Sequence, residues 1–138
     1  MVTRMNLNNY LEQHKTVESE ITTIKSLINT NDVQQNAGDI ALHISTLAGK
    51  IRIHLLMEDK YLYPNLQKSD DERVKRLAKD YQKEMGNLSE KFIAYKDKYN
   101  TKQKIAQNLS TIEQETTDIF LVIEKRIQRE EKELYKFI

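Results

Sequence analysis

Apolar residues recur every three or four positions through four stretches of the chain, the period of a helix with one buried face. Leu7, Tyr10, Leu11, Val17, Ile21, Ile24 and Ile28 mark the first stretch, over about Leu7 to Ile28. Ile40, Ile44, Leu47, Ile51, Leu55 and Leu62 mark a second from about Gly38 to Tyr63. Val74, Leu77, Met85, Leu88, Phe92 and Tyr95 mark a third from about Asp70 to Tyr99. Ile105, Leu109, Ile112, Ile119, Ile123 and Leu134 mark the last, from about Lys102 to Phe137. The breaks carry turn chemistry. Asn29-Thr30-Asn31-Asp32 supplies polar stop and start residues, Pro64 is expected to end the second helix, and Asn100-Thr101 separates the last two. Ser69 with Glu72 reads as a capping box for the third. Short connections between long helices favour antiparallel neighbours. The expected fold is therefore all-α, an antiparallel up-down-up-down four-helix bundle forming a single domain over residues 1–138.

Polar residues interrupt these stripes. Positions seven apart on a helix return to within about 20° of one another. Leu7, His14, Ile21 and Ile28 share a face, as do Ile40, Leu47, His54 and Tyr61, with Ile44, Ile51 and Glu58 beside them. Val74, Tyr81, Leu88 and Tyr95 align on the third helix. On the fourth, Ile105, Ile112, Ile119 and Arg126 form one row, and Leu109, Thr116, Ile123 and Glu130 form the next. Every helix thus points a polar side chain inward. Unpaired buried charges cost several kcal/mol each, so such a group must pair with itself or hold a cation.

Composition narrows the class. With 38% of residues apolar and 31% charged, the core is a narrow seam under a large solvated surface. Three Gly and one Pro argue against a turn-rich β fold. The net charge of +1 comes from thoroughly mixed charges, so neither nucleic acid nor an anionic membrane is an expected partner. The cluster Arg73-Lys75-Arg76-Lys79 is flanked by Asp70, Asp71 and Glu72 and reads as a solvated helix face. The chain has no Cys, which excludes disulfides and thiolate metal sites. No run of about 18 apolar residues marks a membrane span, and the expected location is cytoplasmic. A phosphate-binding Gly-rich loop and a Gly-flanked Ser nucleophile are also missing, which disfavours hydrolytic chemistry.

The two halves repeat. HLLMEDKYLYP, from His54, aligns with RIQREEKELYK, from Arg126, which sets His54 against Arg126 and Glu58 against Glu130. QHKTVESEI, around His14, compares with DYQKEMGNL, around Tyr81. In length, helix count and motif order the whole chain resembles the hemerythrin-like, or HHE cation-binding, family. That family carries a His on its first helix, here His14, and an H-[IL]-x-x-E-[ED]-x-x-L-[YF]-P signature on its second, here HLLMEDKYLYP. The resemblance implies a non-haem iron centre inside the bundle, held by His residues and bridging carboxylates and open to O2 or NO. Imidazole and carboxylate suit iron, and residues four apart on a helix can face one ion.

Two expected histidines are replaced, by Tyr81 and by Arg126, and arginine stays protonated and is no ligand. Carried over residue by residue, the resemblance leaves His14, His54, Glu58 and Glu130 as metal ligands, with Tyr81 as a candidate phenolate. One iron is favoured over two. The Arg126 guanidinium is expected to take the place of the second ion and to neutralise Glu58 and Glu130. Binding or sensing of iron, O2 or NO is favoured over turnover. Three other readings stay open: a peroxidase- or oxidase-like di-iron protein, a haem b bundle, and a metal-free interaction module. His43, about three helical turns before His54, is an added axial-ligand candidate for haem. Glu18 and Glu84 are candidate acceptors for orienting His14 and Tyr81.

Overall fold

The computed structural model describes residues 7–30 and 32–138; Asn31, part of the first expected break, lies outside them. Helix α1 spans Leu7–Ile28, as its periodicity predicts. Helix α2 spans Ala37–Met57 and passes without a break through a π turn, Glu58–Leu62, into the short α3, Tyr63–Gln67. Pro64 therefore does not stop the chain. It stands in the first turn of α3, where its missing N–H is not needed, because the wider turn is closed by Tyr63 N–H donating to Glu58 O.

Helix α4 spans Glu72–Tyr99. Its cap is Asp71, whose side chain accepts from Arg73 N–H at 2.9 Å, and not the expected Ser69–Glu72 box. Ser69 Oγ instead accepts from Asp71 N–H at 3.1 Å. The expected fourth helix is divided. A short α5, Lys102–Ala106, is followed by turns and then by α6, Ile112–Arg129. Asn108 donates its side-chain amide to Lys104 O at 2.9 Å, a local bond that competes with the helical ladder. Leu109 falls in this interruption and is exposed, so it drops out of the inward row that periodicity assigned it. After α6 comes a second π turn, Glu130–Leu134, and a 3-10 turn, Tyr135–Phe137.

Helix α1 packs on α2 and α6, and α4 packs on the same two, so the long helices surround one core as a helical bundle. That core is in two parts. One holds Val17, Ile21, Ile44, Leu47, Leu88, Phe92, Phe120 and their neighbours; the other holds Tyr10, Leu62, Tyr63, Ala78, Tyr81, Leu134 and Tyr135. Between the two parts, on α1 and where α2 and α6 run into their π turns, lie the buried polar residues His14, His54 with Glu58, and Arg126 with Glu130. The helical stretch Ala37–Gln67 contains an 18-residue window with mean hydropathy 1.2, long and apolar enough to cross a bilayer by length and composition alone. Its inward stripe of Ile40, Ile44, Leu47 and Ile51 is core here.

Candidate metal centre

Both π turns begin at the signature glutamates, Glu58 and Glu130, so the sequence repeat is also a repeat of backbone geometry. Each glutamate stands one turn beyond the repeat's first polar residue, His54 or Arg126. His14 of α1 completes the layer. His14 Nε2 lies 3.2 Å from His54 Nε2 and 3.2 Å from Glu130 Oε1. His54 Nε2 lies 3.8 Å from Glu130 Oε1 and 3.3 Å from Glu58 Oε1.

The outer ring nitrogens decide what these contacts mean. His14 Nδ1 meets Glu131 Oε1 at 3.2 Å, and His54 Nδ1 meets Gln13 Oε1 at 2.7 Å. Both partners are acceptors, so each neutral imidazole keeps its proton on Nδ1 and turns an Nε2 lone pair inward. Two lone pairs and a carboxylate then face one point. One nitrogen from each of His14 and His54 and one oxygen from Glu130 all lie within 4.8 Å of one another. Four ligands at about 2.0–2.1 Å from an ion in a tetrahedron stand about 3.3 Å apart. The observed 3.2, 3.2 and 3.8 Å fit that spacing. Glu58 Oε1 and Glu130 Oε2 are buried acceptors without a hydrogen bond, which is further accord with a cation.

Electrostatics show what holds the layer together before a metal enters. Burial works against a charge on His54, but contacts with Glu130 and Glu58 outweigh it and push its pKa up to about 9. Burial and the Glu130 charge push Glu58 up to about 8. Burial also opposes ionisation of Glu130, but its hydrogen bond with His14 and the nearby His54 hold it below the usual carboxylate range. Near neutral pH a proton on His54 thus occupies the position where the lone pairs converge. Metal binding must displace it.

Arg126 fills the opposite side. Its Nη2 donates to Tyr81 O at 2.8 Å and to Tyr63 OH at 3.0 Å, and its Nη1 donates to Glu84 Oε2 at 3.1 Å. The guanidinium carbon lies 4.3 Å from the centroid of the Tyr81 ring. The expected hydrogen bonds to Glu58 and Glu130 are absent from this set. Arg126 Nε stands 3.8 Å from Glu130 Oε2 with neither atom hydrogen-bonded, an ion contact only. The tyrosines and Glu84, reached by the long side chain, draw the guanidinium away from the carboxylates.

Other expected residues stand elsewhere. Tyr81 OH donates to Glu133 Oε2 at 2.7 Å, outside the cluster. His43 is partly exposed and bonds Glu20 Oε2 at 2.7 Å, beside Lys50 on the same carboxylate, so it belongs to a surface network. Glu84 serves Arg126 and Arg129 rather than Tyr81, and the acceptor on His14 Nδ1 is Glu131, not Glu18. The cavity beside His14, His54, Glu130 and Arg126 has about 30 Å³ and apolar walls including Val17, Ile51, Leu88 and Phe92. That is room for a molecule of water size or little more as the side chains stand, which gives the haem reading no support.

Sequence reasoning missed Tyr135, Gln13 and Glu131. Tyr135 OH donates to Glu58 Oε2 at 3.0 Å and lies 3.0 Å from His14 Nε2 and 3.4 Å from His54 Nε2. In a regular α-helix Tyr135 would be rotated by about 140° from Glu130 and would leave the inward face. The π turn restores it. Pro64, one place after Tyr63 in the other copy, was the available hint of irregular backbone here.

Comparison with known proteins gives one match. The family model of the hemerythrin HHE cation binding domain matches residues 5–138. No curated protein and no solved structure matched the chain.

Proposed function

We propose that this chain, which belongs to the hemerythrin HHE cation-binding family, holds a single iron ion on His14, His54 and Glu130, with Glu58 alongside, and binds a small ligand such as O2 or NO there. The observation that carries the reading is the convergence of two imidazole lone pairs on a buried carboxylate, with both Nδ1 atoms tied to acceptors outside. All donors are nitrogen and oxygen, a set that suits iron. The antiparallel up-down-up-down arrangement belongs to the same reading. It is supported by the meeting of His14, early in α1, with His54, late in α2.

A bound ion supplies a Lewis-acidic position for the small ligand; the protein does the rest. Glu131 and Gln13 fix the two rings. Val17, Ile51, Leu88 and Phe92 keep the adjoining cavity dry, and its volume of about 30 Å³ admits a diatomic but no organic substrate. Binding is therefore favoured over turnover. Arg126 supports one ion over two, because a fixed guanidinium stands where the repeat calls for a second imidazole.

The test is anaerobic titration of stripped protein with ferrous iron. One equivalent should bind, and His14→Ala and His54→Ala should each abolish it. Adding NO to the loaded protein should then change its spectrum without product. Two equivalents bound, or none, would refute the single-iron reading.

A further inference from the structure

We infer that the hydroxyl oxygen of Tyr135 is a further ligand to the same ion, so that the phenol of the centre is Tyr135 and not Tyr81. The inference rests on the single-metal reading above and adds a residue that neither the signature nor the helical period assigns.

The first argument is spacing. Tyr135 Oη stands 3.0 Å from His14 Nε2 and 3.4 Å from His54 Nε2, and those nitrogens are 3.2 Å apart and 3.2 and 3.8 Å from Glu130 Oε1. These five separations scatter about the 3.3 Å edge expected of a tetrahedral shell with bonds of about 2.0–2.1 Å. An oxygen in that position either coordinates the ion or blocks it.

The second argument is rigidity. Tyr135 is buried, its ring stacks on His14 with centroids 5.2 Å apart and 20° between planes, and it leans on Tyr10 at 5.4 Å. Its backbone N–H donates to Glu130 O, closing the π turn that carries another ligand. The phenol is thus held in place before any ion arrives.

The third argument is the repeat. Tyr63 occupies the equivalent position after the first π turn, and its OH accepts from the Arg126 guanidinium at 3.0 Å. Each copy therefore turns a phenol oxygen towards the cation of the layer. On one side that cation is Arg126; on the other it is the metal. Charge agrees. With Arg126 close to Glu130, a divalent ion bound by Glu130 alone leaves excess positive charge, and an anionic phenol oxygen reduces it. On coordination the O–H bond breaks, the oxygen keeps the electron pair, and the proton passes by way of Glu58 Oε2, which accepts this hydrogen bond in the metal-free protein, and is released to solvent.

The experiment is absorption and resonance Raman spectroscopy of the ferric, iron-loaded full chain, beside Tyr135→Phe, Tyr10→Phe, Tyr63→Phe and Tyr81→Phe with iron content measured in each. Expected is a visible phenolate-to-iron band with phenolate vibrations in the wild type and in the other three variants. Tyr135→Phe should lose the band and hold iron about tenfold or more weakly. If Tyr135→Phe loses its iron entirely, phenolate vibrations that persist in the other three variants still assign the ligand. An iron-loaded wild type without the band overturns the inference and leaves the single-metal reading standing. So does a band that survives Tyr135→Phe or vanishes in Tyr81→Phe. A wild type that takes up no iron strikes the single-metal reading itself.

Discussion

Replacing Arg126 by Met keeps most of the side-chain volume and removes the charge. In the metal-free protein the substitution leaves Tyr63 OH and Tyr81 O without the guanidinium donor, Glu84 Oε2 with Arg129 as its remaining partner, and Glu130 without its fixed cation. The Glu84 bond contributes little, because that carboxylate is about half exposed, at 51%. The other two bonds are buried, and the ion contact with Glu130 at 3.8 Å is attractive by about 4 kcal/mol at an effective dielectric near 20. Such terms do not add, and the better guide is the cost of breaking a buried pair by deleting one partner, about 3–5 kcal/mol. For a chain of this length that lowers Tm by roughly 10 °C or more. A bound metal changes the cost, since it supplies Glu130 with a second counter-ion. Urea denaturation of wild type and Arg126→Met, each with chelator and with saturating metal, measures both values provided the m-values stay constant. The penalty should fall by at least about 1 kcal/mol on metal saturation. A metal-free penalty below about 1 kcal/mol, or equal penalties in the two states, would refute the idea that guanidinium and metal share one electrostatic role.

Arg126→His offers an imidazole at the repeat position of His54, and metal analysis should show a stoichiometry rising above one. Gln13→Ala leaves His54 Nδ1 without its acceptor; metal affinity measured by competition should drop about 10–100-fold, and metal-free stability should fall by the worth of one hydrogen bond, about 1 kcal/mol. The pKa of His54 is raised from an ordinary 6.5 to about 9. Its contribution to metal-free stability is therefore full below pH 6.5 and lost as pH climbs through 9, and Glu58, raised to about 8, acts in the same direction. Melting curves with chelator should show Tm falling from pH 6.5 to 9. With metal in place of the proton the slope should flatten, and metal affinity should rise over the same range.

Much of this protein is legible in the chain itself. The helical class, the bounds of α1 and the inward rows through His14, His54, Glu58, Arg126 and Glu130 follow from a simple period. That period is a physical consequence of burying one face of a 3.6-residue helix. The duplicated signature then points to a cation-binding family. Periodicity assumes regular helices, and it misleads where the backbone leaves them. The π turns after Met57 and Arg129 carry the chain past Pro64 and bring Tyr135 inward, while the turns around Asn108 expose Leu109. Side-chain direction is also beyond a period. Tyr81 and His43 sit on plausible faces, yet their polar atoms find Glu133 and Glu20 first. Residue types and spacing determined which groups would be buried together. Only tertiary packing decided which atoms meet, because the choice between Glu18 and Glu131 for His14, or between Glu130 and Tyr63 for Arg126, depends on contacts between helices far apart in the chain.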